Sequence, residues 1–132
     1  MLVVSILEAD NFGEELYPVM RESLTGLIKQ ERVRVIIAAG DSKGMIHRLL
    51  SELAIEYPHI FCTIVLPNDK PAYDSEQPHI FSLDCDIVYG DPKNVKNRQR
   101  EKLIEQSDFV FCRKNHCKDI RKINNYCDIM VI

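Results

Sequence analysis

The chain has 132 residues and a mass of 15.3 kDa, with 45% hydrophobic residues, 28% charged residues and a formal net charge of −3. This composition is typical of a single soluble globular domain over residues 1–132, and it is neither that of a disordered chain nor that of a membrane protein. No apolar run reaches the roughly 18 residues of a membrane span, and no secretory signal follows Met1, so we expect a cytoplasmic protein without a membrane partner.

Short apolar runs alternate with segments of helical periodicity along the chain. The runs predicted as strands are Leu2–Leu7, Val33–Ala38, Phe61–Leu66, Phe109–Cys112 and Ile129–Ile132. Helices are predicted from the loop after Asn11 to about Gln30–Arg32, from Met45 to Tyr57, after Asp91-Pro92, and over 118–126. Asn11 and Glu14 resemble a capping box for the first helix. We expect a long irregular connection over 68–89, with only Cys85–Tyr89 extended.

The alternating order predicts an α/β fold, namely a three-layer Rossmann-like domain with a mostly parallel sheet. Ligands of such sheets bind at the carboxyl ends of the strands, near the point where the strand order reverses. The loops that follow the strands are therefore the places where the sequence predicts a ligand site.

The turn between the second strand and the second helix is the strongest candidate. Its residues are Gly40, Asp41, Ser42, Lys43 and Gly44. Glycine allows a ligand to approach the backbone closely, a helix N-terminus exposes amide donors, and Lys43 adds a full positive charge. Together these features favour a phosphate or carboxylate. The alternative is a plain turn with Asp41 or Ser42 as N-cap, since neither G-x-G-x-x-G nor GxxxxGK[ST] spacing is present.

Two further loops are predicted to open at the same edge of the sheet. The first carries Asp10 and Asn11, and an acidic residue at such a position can bind ribose hydroxyls. The second follows Phe109–Cys112 and carries cationic and amide side chains able to bind an anion, namely Arg113, Lys114 and Asn115. The alternative for both loops is ordinary solvated polar residues.

Charge is distributed unevenly along the chain. Residues 1–91 carry 7 Lys/Arg against 15 Asp/Glu, whereas residues 92–132 carry 10 against 5. The basic end either binds an anion or forms a solvated helical face. A pI near 5.8 argues against a nucleic-acid-binding domain.

The odd number of cysteines predicts free thiols in a reducing compartment. They are Cys62, Cys85, Cys112, Cys117 and Cys127. A zinc site around Cys112 and Cys117 lacks a CxxC pair, so we expect no metal. The chain has no nucleophile elbow and no HExxH motif, so it indicates neither catalytic residues nor a cofactor. We expect His47 to lie on the surface of the second helix.

Five segments occur in the order seen in a group of short bacterial proteins. They are Val35–Ala38 with its glycine turn, Glu56-Tyr57-Pro58-His59-Ile60, Ile64–Pro67, Tyr73-Asp74 and Gln106–Val110. In this order they resemble the SLOG superfamily of Rossmann-like proteins, which includes the Smf/DprA proteins and the LOG phosphoribohydrolases. The resemblance implies a site for a nucleotide or nucleotide derivative at the turn 40–44. The PGGxGT-type motif of the LOG enzymes is missing, so the resemblance implies binding without catalysis.

Three function classes stay open on the sequence. The first is a module that binds a nucleotide-like small molecule without chemistry. The second is a hydrolase or transferase of N-glycosidic bonds, for which the candidate carboxylates are Asp10, Asp41 and Asp108. The third is a degenerate protein-interaction module. The resemblance and the thin, charged helix 93–106 are also compatible with a homodimer.

Overall fold

The computed structural model describes residues 2–39, 44–66, 80–84 and 92–132, and parallel strands form its centre. The strands are β1 Leu2–Ile6, β2 Val33–Ala39, β3 Phe61–Leu66, β4 Ile80–Asp84, β5 Phe109–Cys112 and β6 Asp128–Val131. The helices are α1 Tyr17–Gln30, α2 Met45–Glu56, α3 Pro92–Gln106 and α4 Ile120–Ile123. Short 3₁₀ turns cover Ala9–Asn11, Glu14–Leu16 and Lys114–His116.

The sheet has the strand order β4-β3-β2-β1-β5-β6, and every neighbouring pair of strands is parallel. The order reverses beside β1, because β2 to β4 extend the sheet in one direction and β5 and β6 extend it in the other. In the register, Ile6 lies opposite Ala38 of β2 and Phe111 of β5. The predicted three-layer, Rossmann-like α/β fold is confirmed.

Helices cover both faces of the sheet. Val4 and Ile6 of β1 pack with the buried residues of α1 and α2, including Leu24 and Leu50. Leu7 packs on the opposite face, in a cluster with α3 and α4. This division follows from the crossovers, since right-handed connections that extend a sheet in opposite directions place their helices on opposite faces.

The clearest differences from the predicted elements occur in loops and at a helix face. The Asn11 and Glu14 capping box is wrong, because two 3₁₀ turns precede α1 and Leu16 holds its N-cap position. The segment predicted as a long irregular connection contains β4, whereas Cys85–Tyr89 lies outside the described residues. His47 is buried, with 6% of its surface exposed, because α2 packs closely against both the sheet and the turn after β1.

Within the described ranges, no helix combines the length and the apolar character needed to cross a bilayer.

Candidate functional site

Three loops leave the carboxyl ends of three adjacent strands, β2, β1 and β5. The loop after β1 contains Asp10 and Asn11, and the loop after β5 contains Arg113–Asn115, so both predicted segments lie at the point where the strand order reverses. From the turn after β2, only Gly44 is described, and Gly40–Lys43 lie outside the described residues. The structure therefore brings two of the three predicted loops together and shows the third only where α2 begins.

The loops after β1 and β5 meet at Glu8. Its carboxylate oxygen Oε2 lies 2.8 Å from Nδ1 of His116 and accepts a hydrogen bond of 3.4 Å from Nδ2 of Asn11. Glu8 adopts a left-handed backbone conformation with φ of 52°, which is uncommon for a residue with a side chain. This conformation ends β1 and turns the chain into the Ala9–Asn11 turn. The site thus contains a locally unfavourable backbone, a feature that is often found at functional sites.

Arg113 makes the second contact between the two loops. Its guanidinium carbon lies 6.0 Å from the ring centroid of the buried Phe12, within the range of a cation–π interaction. Lys114 and Asn115 are exposed in the 3₁₀ turn that follows, and Asp10 and Asn11 are exposed in the turn after β1. The carboxyl edge of the sheet therefore presents cationic and amide groups around Glu8, whose carboxylate already has two partners.

The N-terminus of α2 opens at the end of β2. Gly44 holds the N-cap position with φ of 116°, so neither Asp41 nor Ser42 occupies it. Among the residues that the structure describes, a Cβ built on Gly44 would meet no atom within 4 Å. The first turn of α2 carries no acidic residue. Its amides and the helix dipole therefore favour a negatively charged group.

The prediction that all five cysteines are free is wrong. Cys112 and Cys117 form a disulfide across a Cα–Cα distance of 5.8 Å. The 3₁₀ turn Lys114–His116 brings the chain back to the end of β5 and places the two sulfur atoms together. Cys62 and Cys127 are free and buried, and Cys85 lies outside the described residues. In the part of the chain that the structure describes, no group of three or more His, Cys, Asp or Glu side chains is placed to hold a metal ion.

Asp108 does not belong to this site. It precedes β5, at the amino edge of the sheet, where its carboxylate accepts a hydrogen bond of 2.8 Å from the amide of Val3. Its backbone amide donates to the carbonyl of Val3 at the same distance. Asp108 therefore supports the pairing of β1 with β5, and this candidate carboxylate lies at the opposite edge of the sheet from the loops after β1 and β5. Asp41 lies outside the described residues, which leaves Asp10 at the carboxyl edge.

The sequence reasoning placed His116 in the loop after the strand Phe109–Cys112, but it missed Glu8 and the contact between Glu8 and His116. The available signal was weak, because Glu8 simply follows an apolar run and His116 stands within a run of charged and polar residues. Their pairing depends on the register of β1 against β5 and on the 3₁₀ turn, and neither is visible as a motif.

No known protein family, curated protein or solved structure matches this chain.

Proposed function

We propose that the protein binds a nucleotide or a nucleotide-derived phosphate ligand at the carboxyl edge of its sheet, over β2, β1 and β5, without transforming it. One observation carries the proposal: the loops after β1 and β5 meet at the reversal of the strand order, through Glu8 and His116. Open parallel sheets bind their ligands at this point. A cytoplasmic protein, as the sequence predicts, would meet such ligands in abundance.

The charges at this edge support an anion as the ligand. Arg113 offers a planar guanidinium that the ring of Phe12 supports from one side, and Lys114 adds a second cation. The first amides of α2 supply further donors at the end of the neighbouring strand. Asp10 and Asn11 are exposed in the turn after β1, and their side chains are of the kind that binds the hydroxyl groups of a sugar. A phosphate with an attached ribose combines these two kinds of group.

Binding without catalysis is favoured because the carboxylate of Glu8 is already engaged by neighbouring side chains. A general base or nucleophile must reach the substrate with an available carboxylate. The oxygen Oε2 of Glu8 already contacts His116 and Asn11. Its position therefore suits the connection between the two loops better than attack on a bound sugar.

A thermal-shift screen against nucleoside mono-, di- and triphosphates and dinucleotides tests the proposal. A ligand present at about 100 times its dissociation constant should stabilise the protein by about 2.7 kcal/mol. Calorimetric titration of the best ligand should then show binding weakened by about ten- to a hundredfold in Arg113→Ala, because a charge-assisted hydrogen bond is lost.

Lys29→Ala is the matched control. Lys29 is an exposed cation in the last turn of α1, which leads to the amino end of β2, so its removal should leave the affinity unchanged. Equal affinity in wild type and Arg113→Ala would place the site elsewhere. If no member of the nucleotide panel stabilises the wild type, the proposal fails, and a protein-interaction module becomes the favoured function.

A further inference from the structure

The disulfide Cys112–Cys117 encloses the loop that reaches across the candidate site. Cys112 is the last residue of β5, and Cys117 follows the 3₁₀ turn Lys114–His116. The ring contains both residues that contact the loop after β1, namely Arg113, over Phe12, and His116, beside Glu8. A single covalent bond therefore closes the segment that carries both contacts.

The two cysteines differ in burial. Cys112 is fully buried, in the cluster that includes Ile104 and Ile120. Cys117 is only partly buried, and exposed cationic residues lie on both sides of it in the chain, at Lys114 and Lys118. Of the two cysteines, Cys117 is therefore the one at which we expect an external thiolate to attack, and nearby positive charge favours thiolates during exchange.

Arg100 limits how far this loop can move. Its guanidinium, on α3, donates hydrogen bonds of 3.0 Å to the carbonyls of His116 and Lys118. These bonds do not involve sulfur, so they persist when the disulfide is broken. Loss of the disulfide should therefore loosen the loop between Cys112 and Cys117 without detaching it from the domain.

We propose that Cys112–Cys117 is an exchangeable disulfide that takes two electrons from a dithiol reductant, and that its oxidised form holds the loop 113–116 in the arrangement that binds ligand. The second half of this proposal rests on the proposed function, whereas the first half does not.

The exchange proceeds in two balanced steps. A thiolate of the dithiol attacks Sγ of Cys117, the protein S–S bond breaks, and Sγ of Cys112 leaves and takes up a proton. The second thiol of the reductant, as its thiolate, then attacks the mixed disulfide at the reductant's own sulfur. Cys117 leaves and takes up a proton, and the reductant departs as its cyclic disulfide. The dithiol is oxidised by two electrons and the protein disulfide is reduced by two.

The exchange is tested on the folded protein with dithiothreitol, followed by alkylation and peptide mass mapping. Cys112 and Cys117 should become alkylated under native conditions, and a buffer of oxidised glutathione should restore the bond. Cys62 serves as the internal control, since burial raises the pKa of its thiol to about 12 and should keep it unmodified. A bond that is reduced only after denaturation would overturn the proposal.

The loop is followed by hydrogen exchange of single amides. The amide of His116 donates to the carbonyl of Arg113 at 2.8 Å, so its protection reports on the 3₁₀ turn. Reduction, or the substitution Cys117→Ala, should accelerate its exchange by about tenfold or more. The amide of Asn124, bonded to the carbonyl of Ile120 at 2.8 Å, should keep its rate. Unchanged protection of His116 would contradict the opening of the loop.

Affinity for ADP, the probe ligand, tests the link to binding. Reduction should weaken ADP binding by about three- to tenfold, because the loop is no longer preorganised. Cys117→Ala should bind like the reduced wild type under all conditions, whereas Cys127→Ala, which removes a free thiol, should keep the redox dependence. Equal ADP affinity in both redox states would overturn the regulatory half. If ADP binds neither the oxidised nor the reduced protein, the proposed function fails for this probe, and so does the proposal that the disulfide controls ligand binding. The alkylation and amide-exchange experiments still decide whether the disulfide is exchangeable.

Discussion

The face of the sheet that α1 and α2 cover differs from the face that α3 and α4 cover in how its helices are held. Exposed ion pairs join α1 and the turn before it to α2, since Arg48 contacts Glu14 through two nitrogen–oxygen distances of 2.8 and 2.7 Å. Arg21 likewise contacts Glu52 and Glu56. These contacts join side chain to side chain, at positions where each partner is also accessible to water.

The other face uses side chains that bind main-chain carbonyls. Arg100 binds the carbonyls of two residues in the 113–118 segment. Asn124 donates to the carbonyls of Ile104 and Ser107 at 2.8 and 3.0 Å. The disulfide adds a covalent link. Bonds to carbonyls fix the path of the chain, so this face determines where the loop after β5 lies. The difference indicates that the face covered by α1 and α2 mainly serves helix packing, whereas the face covered by α3 and α4 also positions the candidate site.

The largest expected effect comes from opening a cavity in each core. Leu50→Ala should lower the free energy of unfolding by about 3–5 kcal/mol, because Leu50 is fully buried on the twelve-residue α2. Ile120→Ala should cost about 2–3 kcal/mol, because the four-residue α4 can relax around the cavity. Urea denaturation of both variants measures the two losses. A larger loss in the free energy of unfolding for Ile120→Ala than for Leu50→Ala would contradict the conclusion that helix packing contributes more on the face covered by α1 and α2.

Removal of the disulfide should have the next largest effect. Cys117→Ala should lower the free energy of unfolding by about 2 kcal/mol, because the unfolded chain regains the freedom that a short covalent ring removes. Calorimetric melting should show a decrease in Tm of several degrees. With a reductant present, wild type and variant should melt together. A difference that persists under reducing conditions would show that the side chain of Cys117 stabilises the fold by packing instead.

The buried serine pair tests the polar contacts of the α3 side. The hydroxyl groups of Ser5 and Ser107 lie within hydrogen-bond distance of each other, and both also lie within hydrogen-bond distance of the carbonyl oxygen of Leu103. Because each hydroxyl has one proton, one serine donates to the carbonyl while the other donates to its partner serine or to the same carbonyl. Each single alanine variant should cost about 1–2 kcal/mol, because it leaves the partner hydroxyl less well satisfied. The double variant should cost less than the sum of the two. Strict additivity in chemical denaturation would exclude coupling between the two serines.

The smallest effect is expected at an exposed ion pair between α2 and the turn before α1. The hydrogen bond from Arg48 holds the pKa of the Glu14 carboxyl below its usual range. The ionised form is therefore favoured in the folded state, and its contribution is present above the unfolded pKa of about 4.3 and lost as pH falls through the lower folded value. Glu14→Gln should be slightly less stable than wild type at neutral pH.

The difference between Glu14→Gln and wild type should disappear in acid, as measured by denaturation across the pH range. Glu15→Gln is the matched control, since the neighbouring Glu15 has no such pair among the described ion pairs. A pH-independent difference for Glu14→Gln would attribute the effect to packing or helix preference instead of charge.

The sequence by itself determined the three-layer architecture and five of the strands that the structure describes, but it missed β4, which lies in the segment predicted as an irregular connection. Phe61–Leu66 and Phe109–Cys112 form strands with the predicted bounds. Two other predicted strands, Leu2–Leu7 and Val33–Ala38, begin at the predicted residue and end one residue away from the predicted end. This agreement has a local cause, because a strand buried on both faces is a short apolar run wherever it stands in the chain. The crossover rules then convert the alternation of strands and helices into a parallel sheet.

Tertiary structure decided which residues meet at the carboxyl edge. The contact of Glu8 with His116 joins residues more than a hundred positions apart and depends on the parallel register of β1 and β5. The disulfide depends on the turn that returns Cys117 to Cys112, since two cysteines five residues apart pair only when the backbone brings them within reach. Local periodicity carries no information about such distances. The edge could therefore be located from sequence, whereas its contacts and its covalent closure required the folded chain.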